Sequence, residues 1–335
     1  MASNNLNLIL KEYEYNKRKA ELDLESRKSD LYNSIPRLNQ IENELNNYAI
    51  KTAKSILHNE KKSIIDLNKK IEKLKKEREN LLTQHNIDLN YLTPNYKCKF
   101  CCDTGYITHE NKKTEMCSCL KQRLLDECYN NSNLSNINNE NFSNFNDKIF
   151  SNSVDSSKFK YNISPRENIN NIKKRCQAFI DNFDNPNTKN LLFTGNTGLG
   201  KTFMSNCIAN ELLKKGKTVL YQTAPVLLES IIDAKMNKSK SNYVNNIDKD
   251  ILNVDLLIID DLGTECLNSM KLSELFTILN TRLLNLNSKI TKTIISTNLG
   301  IENIFNNYEE RIGSRIAGFY DIYYFFGDDL RFKKT

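Results

Sequence analysis

The sequence predicts an α/β protein: a five-stranded parallel sheet in the C-terminal half, preceded by an α-helical hairpin or coiled coil and a small cysteine-bearing module. Three observations predict it. Residues 1 to about 92 contain no glycine, and Pro36 is the only proline before Pro94. Five of the nine cysteines fall between Cys98 and Cys119. From about residue 160 onward, five short apolar runs appear, most of them separated by helix-compatible stretches. Four regions follow: a helical, coiled-coil-like region 1–92, a module 93–129, a polar linker or pre-core segment 130–160, and an α/β domain 161–335.

The first region has Ile50, Ala53, Leu57, Ile64, Leu67, Ile71, Leu74 and Leu81 at alternating steps of three and four. That is the seam of a helix packed on another helix. Ser34 and Pro36 mark the break between the two helices of the hairpin, because proline cannot continue a helix interior. Such a pair is either a plain structural element or a docking arm for a partner. Residues 130–157 are polar and aperiodic, with Phe142 and Phe145 as possible anchor points.

In the last region a helix is expected from Pro165 to about Phe183. Strands are expected at 191–195, 218–222, 256–260, 293–297 and 323–326. Short apolar runs alternating with helices imply a parallel sheet buried on both faces. The net charge of +7 permits nucleic-acid contact without requiring it. No stretch has the apolar length to span a bilayer. The apolar patch Leu6–Leu10 is short and charges follow it, unlike a signal peptide, so a cytoplasmic location is expected and a membrane partner is not.

Gly195, Asn196, Thr197, Gly198, Leu199, Gly200, Lys201 and Thr202 fit G-x-x-x-x-G-K-[ST] between a predicted strand and a predicted helix. Glycines let the backbone wrap phosphates with its N–H groups inward, and the helix adds its positive N-terminal end. Lys201 would neutralise the outer phosphates and the Thr202 hydroxyl would bind Mg2+. ATP is the expected ligand. The run LLIIDD places Asp260 and Asp261 at the C-terminal edge of a buried strand, where open α/β sheets hold ligands. Asp260 is the expected magnesium partner. Asp261 is the candidate to orient and deprotonate the attacking water, with Glu265 in reserve. Asn298, at the tip of the strand 291–298, is the candidate to contact the γ-phosphate or hold the water. Its alternative role is a turn residue before Gly300. Arg311 and Arg315 lie four apart and share a helix face.

Cys98-x-x-Cys101 and Cys117-x-Cys119 form two close pairs across a short loop, a spacing that suits four thiolates around Zn2+. Such a site would be structural and would help to fold a region with little core of its own. His109 and Cys102 are rival ligands.

The motifs GNTGLGKT, LLIIDDLGTE, STN, ERIGSRI and FFGDDLR, in this order and spacing, resemble the ATPase domain of DnaC/DnaI-type helicase loaders and of the related IstB transposition ATPases. The resemblance covers roughly residues 140–335. It implies an AAA+ domain, ATP and Mg2+, and self-association through sites shared between subunits. It also implies an arginine finger at Arg315, a second sensor arginine at Arg331, and a Phe-containing pre-core segment at NFSNFN. Many relatives carry Glu where Asp261 stands, so an Asp would reach less far. Only nine residues follow Phe326, so the helical lid of most AAA+ proteins is expected to be missing. The segment CKFCCDTGY resembles the metal-binding module of DnaI-like loaders, some of which use a histidine ligand.

The expected function is ATP-dependent loading of a DnaB-type replicative DNA helicase onto DNA. The alternatives are an IstB-like ATPase serving a transposase, or a nucleotide-sensing zinc and coiled-coil adaptor. The resemblance implies contact with single-stranded DNA, for which the candidate is the segment 227–243, with Lys235, Lys238 and Lys240 meeting phosphates and Tyr243 stacking on a base; from the residues alone a solvated loop is the preferred reading.

Overall fold

Four breaks divide the described chain of the computed structural model, which covers residues 2–57, 61–128, 139–236, 244–284 and 289–332. Two compact units are present, one ending at Glu115 and one running from Met116 to Thr335.

The first unit is built on three helices, α1 (Ala2–Ser34), α2 (Pro36–Leu57) and α3 (Lys61–Gln84). Proline opens α2 at its first position, where a missing N–H costs nothing. The hairpin differs from the sequence expectation. Its antiparallel pair is α2 and α3, not the helices on either side of Pro36. Arg37 pairs with Glu77 at 2.8 Å and Arg78 with Glu42 at 2.9 Å across that pair. Leu67, Leu74 and Leu82 of α3 are buried, as are Leu38 and Ile41 of α2. Ile50 and Ala53 are exposed, against expectation. A stripe that fits one continuous helix does not survive a reversal of direction, because α2 turns a different set of positions inward. Leu57 and Ile64 lie outside the residues whose side chains are described. Leu31, Ile35, Leu38 and Leu82 form an apolar knot where α1 ends, α2 begins and α3 finishes.

A small hairpin, β1 (Tyr106–Thr108) and β2 (Thr114–Met116), leads to α4 (Ser118–Cys128). The second unit continues through α5 (Ser156–Phe159), α6 (Pro165–Asp181), β3 (Asn190–Thr194), α7 (Lys201–Lys214), β4 (Val219–Thr223) and α8 (Ala224–Met236). It closes with α9 (Val244–Asn253), β5 (Leu256–Leu262), α10 (Ser269–Leu284), β6 (Lys292–Thr297), α11 (Ile301–Asn307), α12 (Glu309–Phe319) and β7 (Tyr320–Tyr324). The order across the sheet is β4-β5-β6-β3-β7, all parallel.

Strand alternation explains the two cores. Leu257 and Ile259 of β5 face one cluster with Leu228, Leu275 and Ile312. Leu256 and Ile258 face the other with Phe179, Met204 and Ile208. Ser164 caps α6 by accepting from Glu167 N at 3.1 Å. Phe142 and Phe145 pack against the second cluster, and Arg166 donates to the carbonyls of Lys148 and Phe150, so the segment before α6 is anchored at these points.

The last strand begins at Tyr320, three residues before the apolar run that predicts it. It pairs Asn190 with Tyr320 through to Thr194 with Tyr324. As an edge strand it is only partly buried, with Tyr320 and Tyr323 buried and Asp321 and Tyr324 exposed, so no continuous apolar run announces its start. Past β7 the described chain makes only a 3-10 turn, Leu330–Phe332.

At the opposite edge, β4 is covered by a side chain. Gln122 of α4 accepts from Val219 N at 2.7 Å and donates to Val219 O at 2.8 Å. One amide thus makes both bonds that a neighbouring strand would make.

Candidate functional site

The loop 195–200 joins β3 to α7 at the carboxyl end of the sheet, and Gly195, Gly198 and Gly200 all hold positive φ. Gly195 has no room for a side chain: a Cβ there would lie 2.0 Å from the Phe325 carbonyl oxygen. No side chain caps α7, so its first amides remain available to an anion. Lys201 is buried, and its Nζ donates to the carbonyls of Gly195 and Asn196, both at 2.7 Å. Burial lowers its pKa, opposed by the carboxylates of Asp261 and Asp260.

Asp260 ends the buried stretch of β5 and is 3% exposed. Oδ2 accepts from Thr202 Oγ1 at 3.1 Å and from the Tyr221 hydroxyl. Oδ1 accepts from the Ser296 hydroxyl and from Asp261 N at 3.1 Å. Asp261 is exposed, at φ +54°. Here β5 carries one extra residue against β6, because Ile259 pairs Ile295 and the next pair is Leu262 with Thr297. The bulge turns the Asp261 side chain out of the sheet. Partial burial and the neighbouring Asp260 raise its pKa, against the pull of Lys201.

Several sequence-selected residues have other engagements. The reserve base, Glu265, is buried; it accepts from Gly263 N at 3.0 Å and from the Tyr308 hydroxyl, which gives it a structural task. Asn298 is exposed just past β6, with its Oδ1 near Gly263. Arg315 donates to Asn280 Oδ1 at 3.1 Å, and both Arg315 and Arg311 stand over the Phe276 ring. Arg331 reaches the phosphate-binding loop, donating to Thr197 Oγ1 at 3.2 Å while paired with Asp329. Lys235 is paired with Glu274 at 2.5 Å. Lys238, Lys240 and Tyr243 lie outside the described residues.

Sequence reasoning missed Tyr221 and Ser296. Strand parity held the signal for Tyr221, because Tyr221 pairs with Ile258, two residues before Asp260, and so shares its face of the sheet.

The cysteine module brings Cys98, Cys101, Cys117 and Cys119 together, with their four Sγ atoms all within 4.8 Å of one another. Four thiolates about 2.3 Å from a shared Zn2+ stand roughly 3.8 Å apart, so the donor set fits that ion. The knuckle is built locally: Asp103 accepts from Lys97 N and Cys98 N, and Gly105 N donates to Cys101 Sγ at 3.3 Å. Of the rivals, His109 is exposed and bonded to Glu115 at 2.8 Å, and Cys102 is exposed outside the cluster.

Residues 140–311, half of the chain, match the IstB-like ATP binding protein family. The chain belongs to the IstB-like ATP-binding protein family. Members of this family are AAA+ ATPases. The IstB-like chain is 33% identical over 95 residues to the "Replicative helicase loader DnaC" of Escherichia coli K12, covering 28% of this chain and 38% of that protein. It is 32% identical over 93 residues to the "Insertion sequence IS1162 putative ATP-binding protein" of Pseudomonas fluorescens, again covering 28% and 38%. The chain thus spans well under half the length of these relatives. A crystal structure of the DnaC helicase loader aligns at TM-score 0.41 and 25% identity, over 47% of this chain and 89% of that one. Among the described residues no helix is long and apolar enough to cross a membrane.

Proposed function

We propose that this IstB-like ATPase loads a DnaB-type replicative helicase onto DNA, binding and hydrolysing ATP between the 195–202 loop and the tip of β5. The observation that carries the ATPase part is the convergence of Lys201, Thr202, Asp260 and Asp261 on one edge of the sheet. Asn196, Thr197, Leu199 and the three glycines supply loop amides to the phosphates. Thr202 and Asp260 would hold Mg2+, which offsets phosphate charge. Asp261 takes the proton of the attacking water and Asn298 orients that water. Arg331 contacts the nucleotide from within the chain. Arg315 acts on the site of a neighbouring copy, where an arginine balances charge on the transferring phosphate. The four cysteines would hold Zn2+, which cross-links the module. The helical region 1–92 grips the helicase, and the segment with Lys238, Lys240 and Tyr243 meets single-stranded DNA.

The helicase reading is supported by the likeness to a replicative helicase loader. A second reading, an ATPase serving a transposase, is favoured by the likeness to the insertion-sequence ATP-binding protein. The test is co-purification of the full chain with the host's replicative helicase, alongside magnesium-dependent ATP turnover with single-stranded DNA. Turnover without helicase association removes the loader reading. Full nucleotide affinity in Lys201→Ala removes the ATPase reading itself.

A further inference from the structure

The geometry points to Tyr221 as a positioning residue for the magnesium-holding carboxylate: its buried hydroxyl fixes the rotamer of Asp260 so that the second oxygen stays aimed at Thr202. The inference rests on the ATPase reading and deepens it. Asp260 is held from both neighbouring strands, by Tyr221 on β4 and by Ser296 on β6, while Thr202 donates from α7. The four donors divide evenly, two to each oxygen. The donors are not equivalent. Thr202 would offer Mg2+ an oxygen lone pair while its proton still serves Oδ2, so it has a coordinating role of its own. The Tyr221 hydroxyl is the buried donor to that oxygen and has no such role. Its ring is 0% exposed within the core beneath the site, so the hydroxyl cannot swing elsewhere. A carboxylate free to rotate would sample orientations useless to the metal, and the metal would have to meet the cost of ordering it.

The test is Tyr221→Phe in the full chain, with a fluorescent ATP analogue titrated at fixed Mg2+ and then Mg2+ titrated at fixed analogue. Affinity measured in chelator is expected to match wild type. The half-saturating Mg2+ concentration is expected to rise about tenfold, the scale of one hydrogen bond to a charged group. Ser296→Ala, which releases the other oxygen, shifts the Mg2+ requirement in the same direction. In the background of Asp260→Asn, Tyr221→Phe adds no further shift. An unchanged Mg2+ requirement in a folded Tyr221→Phe chain overturns the inference. So does a Tyr221→Phe chain that unfolds while Ser296→Ala keeps the wild-type requirement. Absence of any nucleotide affinity in the wild-type chain would instead sink the ATPase reading, so the two failures are distinguishable.

Discussion

Replacing Gln122 by alanine tests how α4 is joined to the ATPase sheet. The Gln122 amide bonds through both its ends: Oε1 accepts from Val219 N, while Nε2 donates to Val219 O and to Asp126 Oδ1 at 2.9 Å. Val219 is fully buried and Gln122 is 9% exposed, so the truncation strands a backbone donor and acceptor with little access to water. Two such losses cost about 3 kcal/mol, and for a unit of this size that lowers Tm by roughly 6–12 °C. Scanning calorimetry or circular dichroism reads the shift. Gln122→Glu sharpens the test. At pH 8 the introduced carboxylate still accepts from Val219 N but faces Val219 O and Asp126 with no proton to donate. Its folded pKa is therefore raised above the unfolded value. A raised carboxyl pKa gives stability that is present below the unfolded pKa and lost as pH rises through the folded pKa. The deficit of Gln122→Glu against wild type should thus shrink from pH 8 to pH 5, while that of Gln122→Ala stays constant. A fall of less than about 2 °C for Gln122→Ala, or equal pH dependence of the two variants, refutes the reasoning.

Three further outcomes are expected. Asp261→Asn keeps magnesium-dependent nucleotide affinity and loses turnover by about 10²–10⁴-fold in steady-state kinetics; in wild type the acidic limb of turnover lies above the ordinary aspartate range, because activity is lost as pH falls through the raised Asp261 pKa. Arg282→Met lowers stability by about 4 kcal/mol in urea unfolding with unchanged m value, since the fully buried guanidinium, its pKa lowered to about 10 by burial, donates to Thr293 Oγ1 and to the carbonyls of Ile251, Val254 and Lys292. In alkylation mapped by mass spectrometry, exposed Cys102 and Cys266 react in the native chain. Buried Cys207, its thiol pushed up to about 12 by burial, stays unmodified, and Cys98, Cys101, Cys117 and Cys119 become reactive when a strong chelator is added.

The parts legible in the sequence are those whose chemistry is local. The loop needs glycines at fixed spacing, a preceding strand and a following helix, and all are contiguous. The tip of β5 is visible because four buried aliphatics precede two carboxylates. The cysteine pairs are legible because four thiols so close in a short segment have few other uses. Pro36 looks like a turn, whereas no glycine or proline occurs at residues 58–60, so the sequence points to a hairpin at Pro36 and gives no sign of the pairing of α2 with α3. Periodicity reports a buried face and says nothing of where the chain reverses. Glu265 looked catalytic because its partner Tyr308 lies 43 residues away on a different element. Gln122 was unreadable for the same reason, at a separation of 97 residues from Val219.

The contact that Gly195 makes with β7 explains why an edge strand with weak sequence character is nonetheless tied to the site. Phe325 N donates to Thr194 O at 2.7 Å, and the Phe325 carbonyl fills the space that a Gly195 side chain would need. One residue of the C-terminal segment therefore ends the sheet pairing and sets the entry of the phosphate-binding loop. Leu330 N then donates to Gly198 O at 3.0 Å, and the Asp329 carboxylate lies against Gly198. The loop is thus shaped from outside by residues 325–331, while Lys201 holds its own carbonyls from inside. Gly195→Ala must displace a backbone carbonyl, not a flexible side chain, and at φ +140° it is strained as well. Its expected result is lost nucleotide affinity together with lower stability, because the change moves β7 and the loop as one. Lost affinity at unchanged Tm would mean that the loop shifts alone, and the coupling argued from Phe325 would be wrong.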